Sequence, residues 1–186
     1  MARVMTMFLV AAMALASPAA AGELEGVTLP DQITLADETL ELNGMGVRQK
    51  LWVEVYVAGL YLEAPSSEPA EIVGSDQTKR VVMHFLTDKA KKKKMDGAWQ
   101  EGFEANSPDE VSALQARLDR FKSLFGDMKD GDVVTLTMIP GEGTRVEMNG
   151  TDTGTIEGED FSAALLRVWL GNEPPSDDLK EGMLGL

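Results

Sequence analysis

The segment Gly44–Glu63, GMGVRQKLWVEVYVAGLYLE, constrains the fold more than any other part of the chain. The β-branched and aromatic residues from Lys50 to Tyr61 predict one long strand, or two strands with a bend at Gly59. In such a strand Leu51, Val53, Val55 and Val57 share one face, and Trp52, Glu54, Tyr56 and Ala58 share the other. Both faces are therefore expected to be partly covered. Gly44 and Gly46 suit a tight turn or the close approach of another backbone. Arg48 sits where the strand begins, and a guanidinium there is able to hold an anionic group through two parallel hydrogen bonds.

The chain has 186 residues, which predicts one domain, here residues 22–186, with a sizeable core. Residues 1–21 read as a signal peptide. Arg3 supplies a positive start, Met5 to Ala16 is uncharged and apolar apart from Thr6, and Ala19-Ala20-Ala21 fits a cleavage site before Gly22. The apolar run is short for a transmembrane helix, so no stable membrane insertion is expected after cleavage. The expected destination is outside the cytoplasm, in the bacterial periplasm. There are no cysteines, which excludes disulfides and thiolate chemistry. The net charge of −14 argues against a nucleic-acid partner and against broad binding to anionic membranes.

Short strands are predicted at Val27–Leu29, Ile33–Leu35 and Leu40–Leu42, before the long segment. Ala64 to Thr78 reads as a loop with at most a helical turn. Lys79 to Phe85 is a strand carrying the single histidine, His84, whose isolation favours a structural role. Lys89 to Lys94 holds five lysines, either a solvated helical turn or a positive collar at a ligand mouth. Met95, Trp99 and Phe103 follow at helical spacing. Ser107-Pro108-Asp109-Glu110 predicts a helix start, with Ser107 as N-cap and Glu110 completing a capping box. Val111, Leu114, Leu118, Phe121 and Phe125 then mark an amphipathic helix ended by Gly126. Asp132 to Ile156 reads as a β-meander turning at Asn149-Gly150. Phe161, Ala164, Leu165, Val168 and Trp169 mark a further helix, and Asp177 to Leu184 a short terminal one.

The usual catalytic constellations are missing: no Cys–His pair, no HExxH and no GxSxG. No metal site and no cofactor are expected. Sheet and helices would enclose an apolar cleft with Arg48 as its positive pole, suited to an amphiphilic carboxylate. Arg48 paired with a protein carboxylate, or lying at the surface, is the alternative that the residues leave open.

"GMGVRQK…VYVAGLYLE", "FKSLFGDMKDGDVVTLTMIPGEGTRVEMNG", "GTIEGEDFSAALLRVWLG" and the closing "LKEGMLG" resemble, in this order, the exported bacterial group of the chalcone isomerase-like family. The resemblance runs from about Gly26 to Leu184. It implies an α+β fold, an open-faced β-sandwich with a large antiparallel sheet packed against a layer of helices. It implies two activities, ring closure of a chalcone by a plant-type intramolecular lyase and non-catalytic fatty-acid binding, both using an arginine that matches Arg48. The chain departs from the enzyme pattern. Tyr56 stands where the enzyme has a threonine, Lys91 near its catalytic tyrosine and Ala98 near its asparagine. The network that would orient a nucleophile and stabilise an enolate is absent from those positions.

The resulting expectation is an exported binding protein for a fatty acid or similar amphiphile. Arg48 holds the head group, helped by Tyr56 and a lysine such as Lys91, and Trp99, Phe103 and Leu165 line the tail. A lyase acting on a planar phenolic enone, with Arg48 catalytic, is the second reading. An envelope scaffold is the third.

Overall fold

The computed structural model describes residues 21–186. The leader expected over 1–21 thus lies, except for Ala21, outside the described residues. Strands β1 (Ala21–Leu24) and β2 (Val27–Pro30) form a hairpin of their own. The other seven strands form one antiparallel sheet in which spatial order follows chain order. They are β3 (Gln32–Leu35), β4 (Glu38–Lys50), β5 (Val53–Leu62), β6 (Lys79–Phe85), β7 (Val133–Ile139), β8 (Gly143–Met148) and β9 (Thr151–Glu157). The helices are α1 (Pro69–Gly74), α2 (Lys92–Asn106), α3 (Val111–Ser123), α4 (Glu159–Leu170) and α5 (Asp177–Met183). The architecture is α+β: a curled antiparallel sheet with helices packed on one face.

The period-two pattern of the strands explains the two unequal cores. Val81, Met83 and Phe85 of β6 and Val134, Leu136 and Met138 of β7 face the helices, where they join Trp99, Phe103, Phe121, Phe161 and Trp169. On the other face Leu40, Val57 and Tyr61 meet Val27 and Leu29 of the β1–β2 hairpin. That hairpin covers only the β4–β6 side. Beyond it the outer face is polar, with Arg80 donating to Thr137 (2.9 Å) and paired with Glu147 (3.5 Å).

Several expectations are corrected. The run from Lys50 to Tyr61 is not one strand. β4 ends at Lys50, Leu51-Trp52 form a two-residue turn, and β5 returns as far as Leu62. The sequence hides this turn because it lacks the Asn-Gly or Gly that such turns favour. Leu51 itself takes the left-handed conformation, with φ +57°. Gly59 does not bend the strand. It pairs regularly with Met45 and Val82, and its missing side chain makes room for Leu29.

The register also shifts between Arg48 and Gln49, so that Tyr56 lies opposite Arg48 and Glu54 opposite Gln49. Val55 is the extra residue of a bulge. Val55 therefore no longer sits on the face opposite Tyr56, as strict alternation required. Both pack against the helix-side core.

The capping box at Ser107 does not form. α3 begins at Val111 with no side-chain cap, and Ser107 and Glu110 instead accept from Nη1 of Arg167 on α4, at 3.0 and 2.8 Å. An interhelical partner competes successfully for both oxygens. α3 likewise stops at Ser123, three residues before Gly126, yet Phe125 stays buried beyond its end.

Gly44 and Gly46 serve close approach. A Cβ on Gly46 would press on the carbonyl of Leu179, and one on Gly44 on the carbonyl of Gly182, so α5 lies directly against β4. Asn43 secures the contact by donating to the Met183 carbonyl (3.0 Å). Gly46→Ala should therefore destabilise the fold by about 2–3 kcal/mol through overpacking against backbone that cannot rotate away. Gly97→Ala, inside α2 with nothing near its would-be Cβ, should stabilise by roughly 0.5–1 kcal/mol. Urea unfolding of the two variants checks the opposite signs.

Candidate ligand-binding site

A cavity of about 560 Å³ opens between the β4–β5 hairpin, the β6–α2 connection, one face of α2 and the α4–α5 connection. That volume lies within the roughly 300–1,000 Å³ typical of small-molecule pockets. Helix α2 supplies its floor with small residues. Met95, Trp99 and Phe103 bury one stripe of the helix, while Ala98, Gly102 and Ala105 face the cavity and leave room. Gly102 also lets α2 approach α4, since a Cβ there would meet Val168 at 2.8 Å. The sheet supplies Val53, Val55, Tyr56 and Met83, so most of the wall is apolar.

The polar groups are unevenly distributed. Arg48, Lys50, Lys89 and Lys94 line the cavity against only two acids, Glu101 and Glu173. None of the four cations has a carboxylate within ion-pair reach among the described residues. This local excess of positive charge stands within a chain of net charge −14. Arg48 is half-buried, and its Nη1 donates to the carbonyl of its neighbour Gln49 at 2.7 Å. Its other donors are open to a guest.

Tyr56 completes the polar end. It is buried, faces Arg48 across the β4–β5 ladder, and its hydroxyl accepts from Nε1 of Trp169 at 3.1 Å. Burial pushes its pKa up to about 12, against the opposing pull of the Trp169 hydrogen bond and the Arg48 charge. Tyr56 is thus a neutral phenol at physiological pH and cannot serve there as a phenolate base. Among the described residues no protein acceptor takes its hydroxyl proton, so it is free to donate. A fixed cation beside a neutral O–H donor is an arrangement for holding an oxyanion. Trp99, also in the wall, has a buried indole N–H without a partner.

The six residues expected to contact a ligand divide evenly. Arg48, Tyr56 and Trp99 line the cavity. Lys91, Phe103 and Leu165 do not. Lys91 precedes α2 and pairs with Asp127 (3.5 Å) on the surface. Phe103 packs on Phe161 with ring centres 5.4 Å apart, and Leu165 is fully buried in the helix-side core. The lysine run is split in two. Lys91 and Lys92 are paired to acids, while Lys89 and Lys94 reach the cavity. Met83, Val168, Pro174 and Pro175 were not legible as site residues, because only the packing of α2 and α4 on the sheet brings them there. His84 is not among the lining residues. A second depression of about 520 Å³ near α1 and α4 includes Asp76, Glu159 and Asp160, and those acids disfavour an anion.

Residues 21–185 match the model of the family described as chalcone isomerase-like. The structure is similar to the crystal structure of a fatty-acid-binding protein from Arabidopsis thaliana, with a TM-score of 0.69 and 19% identity over 89% of this chain and 96% of that one. Identity at that level establishes a shared fold. No curated protein sequence matches the chain.

The two tyrosines give a spectroscopic check of the site. Burial raises Tyr61 to about 12 as well, so neither should ionise near the ordinary value of 10.0. The native chain should show almost no tyrosinate absorbance at pH 10, where the urea-unfolded chain is half ionised. Because the unfolded state releases these protons first, stability should fall as pH rises from about 10 towards 12.

Proposed function

The chain belongs to the chalcone isomerase-like family, and from that premise we propose that it is a non-catalytic binding protein for a fatty acid or similar amphiphilic carboxylate. One observation carries the reading. Among the described residues Arg48 has no acid to neutralise it, and it stands beside the unused O–H of Tyr56 in the wall of a largely apolar cavity. A carboxylate would take the guanidinium and the phenol, and its chain would run along Ala98, Gly102 and Met95 of α2. The Arabidopsis protein of the same fold is a fatty-acid-binding protein, which supports the same class of guest.

The lyase reading has less support. Tyr56 is a neutral hydrogen-bond donor where the enzyme has its threonine, Lys91 points elsewhere, and Ala98 offers no polar atom to the cavity. An open cavity speaks against a scaffold filled by its own side chains. We further propose that the protein acts after export, with cleavage before Gly22. The mass of the protein recovered from its own compartment tests that cleavage.

Arg48→Ala should weaken oleate binding to delipidated protein by about 1.5–3 kcal/mol, the loss of charge-assisted hydrogen bonds. It should leave binding of the corresponding fatty alcohol unchanged. Ala98→Trp should block both guests by filling the floor of the cavity. Titration calorimetry reads all three. Oleate affinity unaffected by Arg48→Ala would remove the proposed head-group site, and turnover of a chalcone would restore the lyase reading.

A further inference from the structure

The turn between β4 and β5 exposes two large apolar side chains side by side. Trp52 is 88% and Leu51 77% exposed. Elsewhere among the described residues only Leu186, at the end of the chain, is comparable. Isolated exposed apolar residues need no explanation, but this pair is unusual in three ways. A two-residue turn favours Gly or Asn, and here a leucine is held at φ +57°, which strains its backbone. The residue beyond it is a tryptophan, whose ring favours the boundary between water and lipid. Leu51 also lines the cavity that Arg48, Lys50, Lys89 and Lys94 line with it, so the apolar tip and the cationic rim belong to one mouth.

We propose that the Leu51–Trp52 turn is a membrane-docking tip, which sets the cavity mouth against an anionic lipid surface. The tip would insert at headgroup depth, with the exposed Lys50, Lys89 and Lys94 on lipid phosphates and the half-buried Arg48 left to the guest. The excess of positive charge is confined to the cavity lining, where the four cations stand against Glu101 and Glu173. Glu54 and Asp88, which stays charged while accepting from the Asp130 amide (3.0 Å), lie outside that lining. The net charge of −14 opposes approach at long range, but the Debye length of about 8 Å at physiological salt confines each surface charge to its own neighbourhood. The contact is peripheral, since no helix among the described residues is long and apolar enough to cross a bilayer. Docking in this orientation gives a lipid-derived guest a path into the cavity that avoids bulk water. That consequence rests on the ligand reading above, whereas docking itself does not.

The test is co-sedimentation of ligand-free protein with vesicles of mixed phosphatidylglycerol and phosphatidylcholine, and with phosphatidylcholine alone. Binding is expected to the anionic vesicles, with a blue shift of tryptophan emission and weakening by salt. Trp52→Ser should lower it about tenfold, the loss of one buried aromatic side chain. Lys89→Glu should lower it at least about fivefold. Trp52→Ser should melt like the parent and bind oleate as tightly, because Trp52 touches neither the core nor the cavity. Leu51→Gly should raise thermal stability while weakening vesicle binding. Parent protein that stays in solution, or Trp52→Ser protein that pellets equally, overturns the proposal. So does concentration-dependent self-association lost in Trp52→Ser, which would make the tip a contact between copies. Vesicle binding without oleate binding keeps the docking tip and removes the fatty-acid reading.

Discussion

The burial of β5 on both faces governs the rest of the structure. Tyr56, Ala58, Leu60 and Leu62 enter the helix-side core, while Val57 and Tyr61 enter the core under the β1–β2 hairpin. A slip of one residue would exchange those sets, placing tyrosine and leucine where valine and glycine now fit. The register with β4 is therefore strongly specified. The bulge at Val55 is the one place where it shifts, and that shift sets Tyr56 opposite Arg48. The polar end of the cavity is thus a consequence of how a core strand is paired.

Helix packing decides how much space remains beside that pair. α5 rests on the backbone of β4 through Gly44 and Gly46, and α2 rests on α4 through Gly102. Between these contacts the small residues of α2 fail to fill the volume, and a cavity results. Trp169 of α4 reaches through the core to donate to Tyr56, the neighbour of Arg48 across the ladder. A satisfied indole on one side leaves the phenol proton directed to whatever enters from the other. The helix layer therefore shapes the cavity and also sets the hydrogen-bonding role of its tyrosine.

Charge is organised on the same plan. The chain is strongly acidic overall, and most of its basic groups within α2, α3 and α4 are paired with acids or carbonyls. The four cations that line the cavity have no carboxylate partner among the described residues. A positive pole of this kind survives only where packing keeps acids out of reach, and the hairpin tip, the β6–α2 connection and α2 meet at such a place. Ligand capture and surface docking would draw on the same local field.

The sequence by itself determined most of the strands and helices, the β-meander with its Asn149-Gly150 turn, and the amphipathic faces of α2, α3 and α4; Arg48, Tyr56 and Trp99, which it singled out, line the cavity. These are carried by local periodicity and by residue types whose chemistry is intrinsic. It misplaced the Leu51–Trp52 turn, because a leucine at positive φ carries no turn signature. It assigned Ser107 and Glu110 to a cap, because nothing local announces that Arg167 from a distant helix will claim both. Only the tertiary structure decided that Lys89 and Lys94 face the cavity while Lys91 does not, and that Phe103 and Leu165 are core. Residues of one type within one run are chemically alike, and what separates them is the angle at which α2 settles on the sheet, set by contacts far apart in the chain.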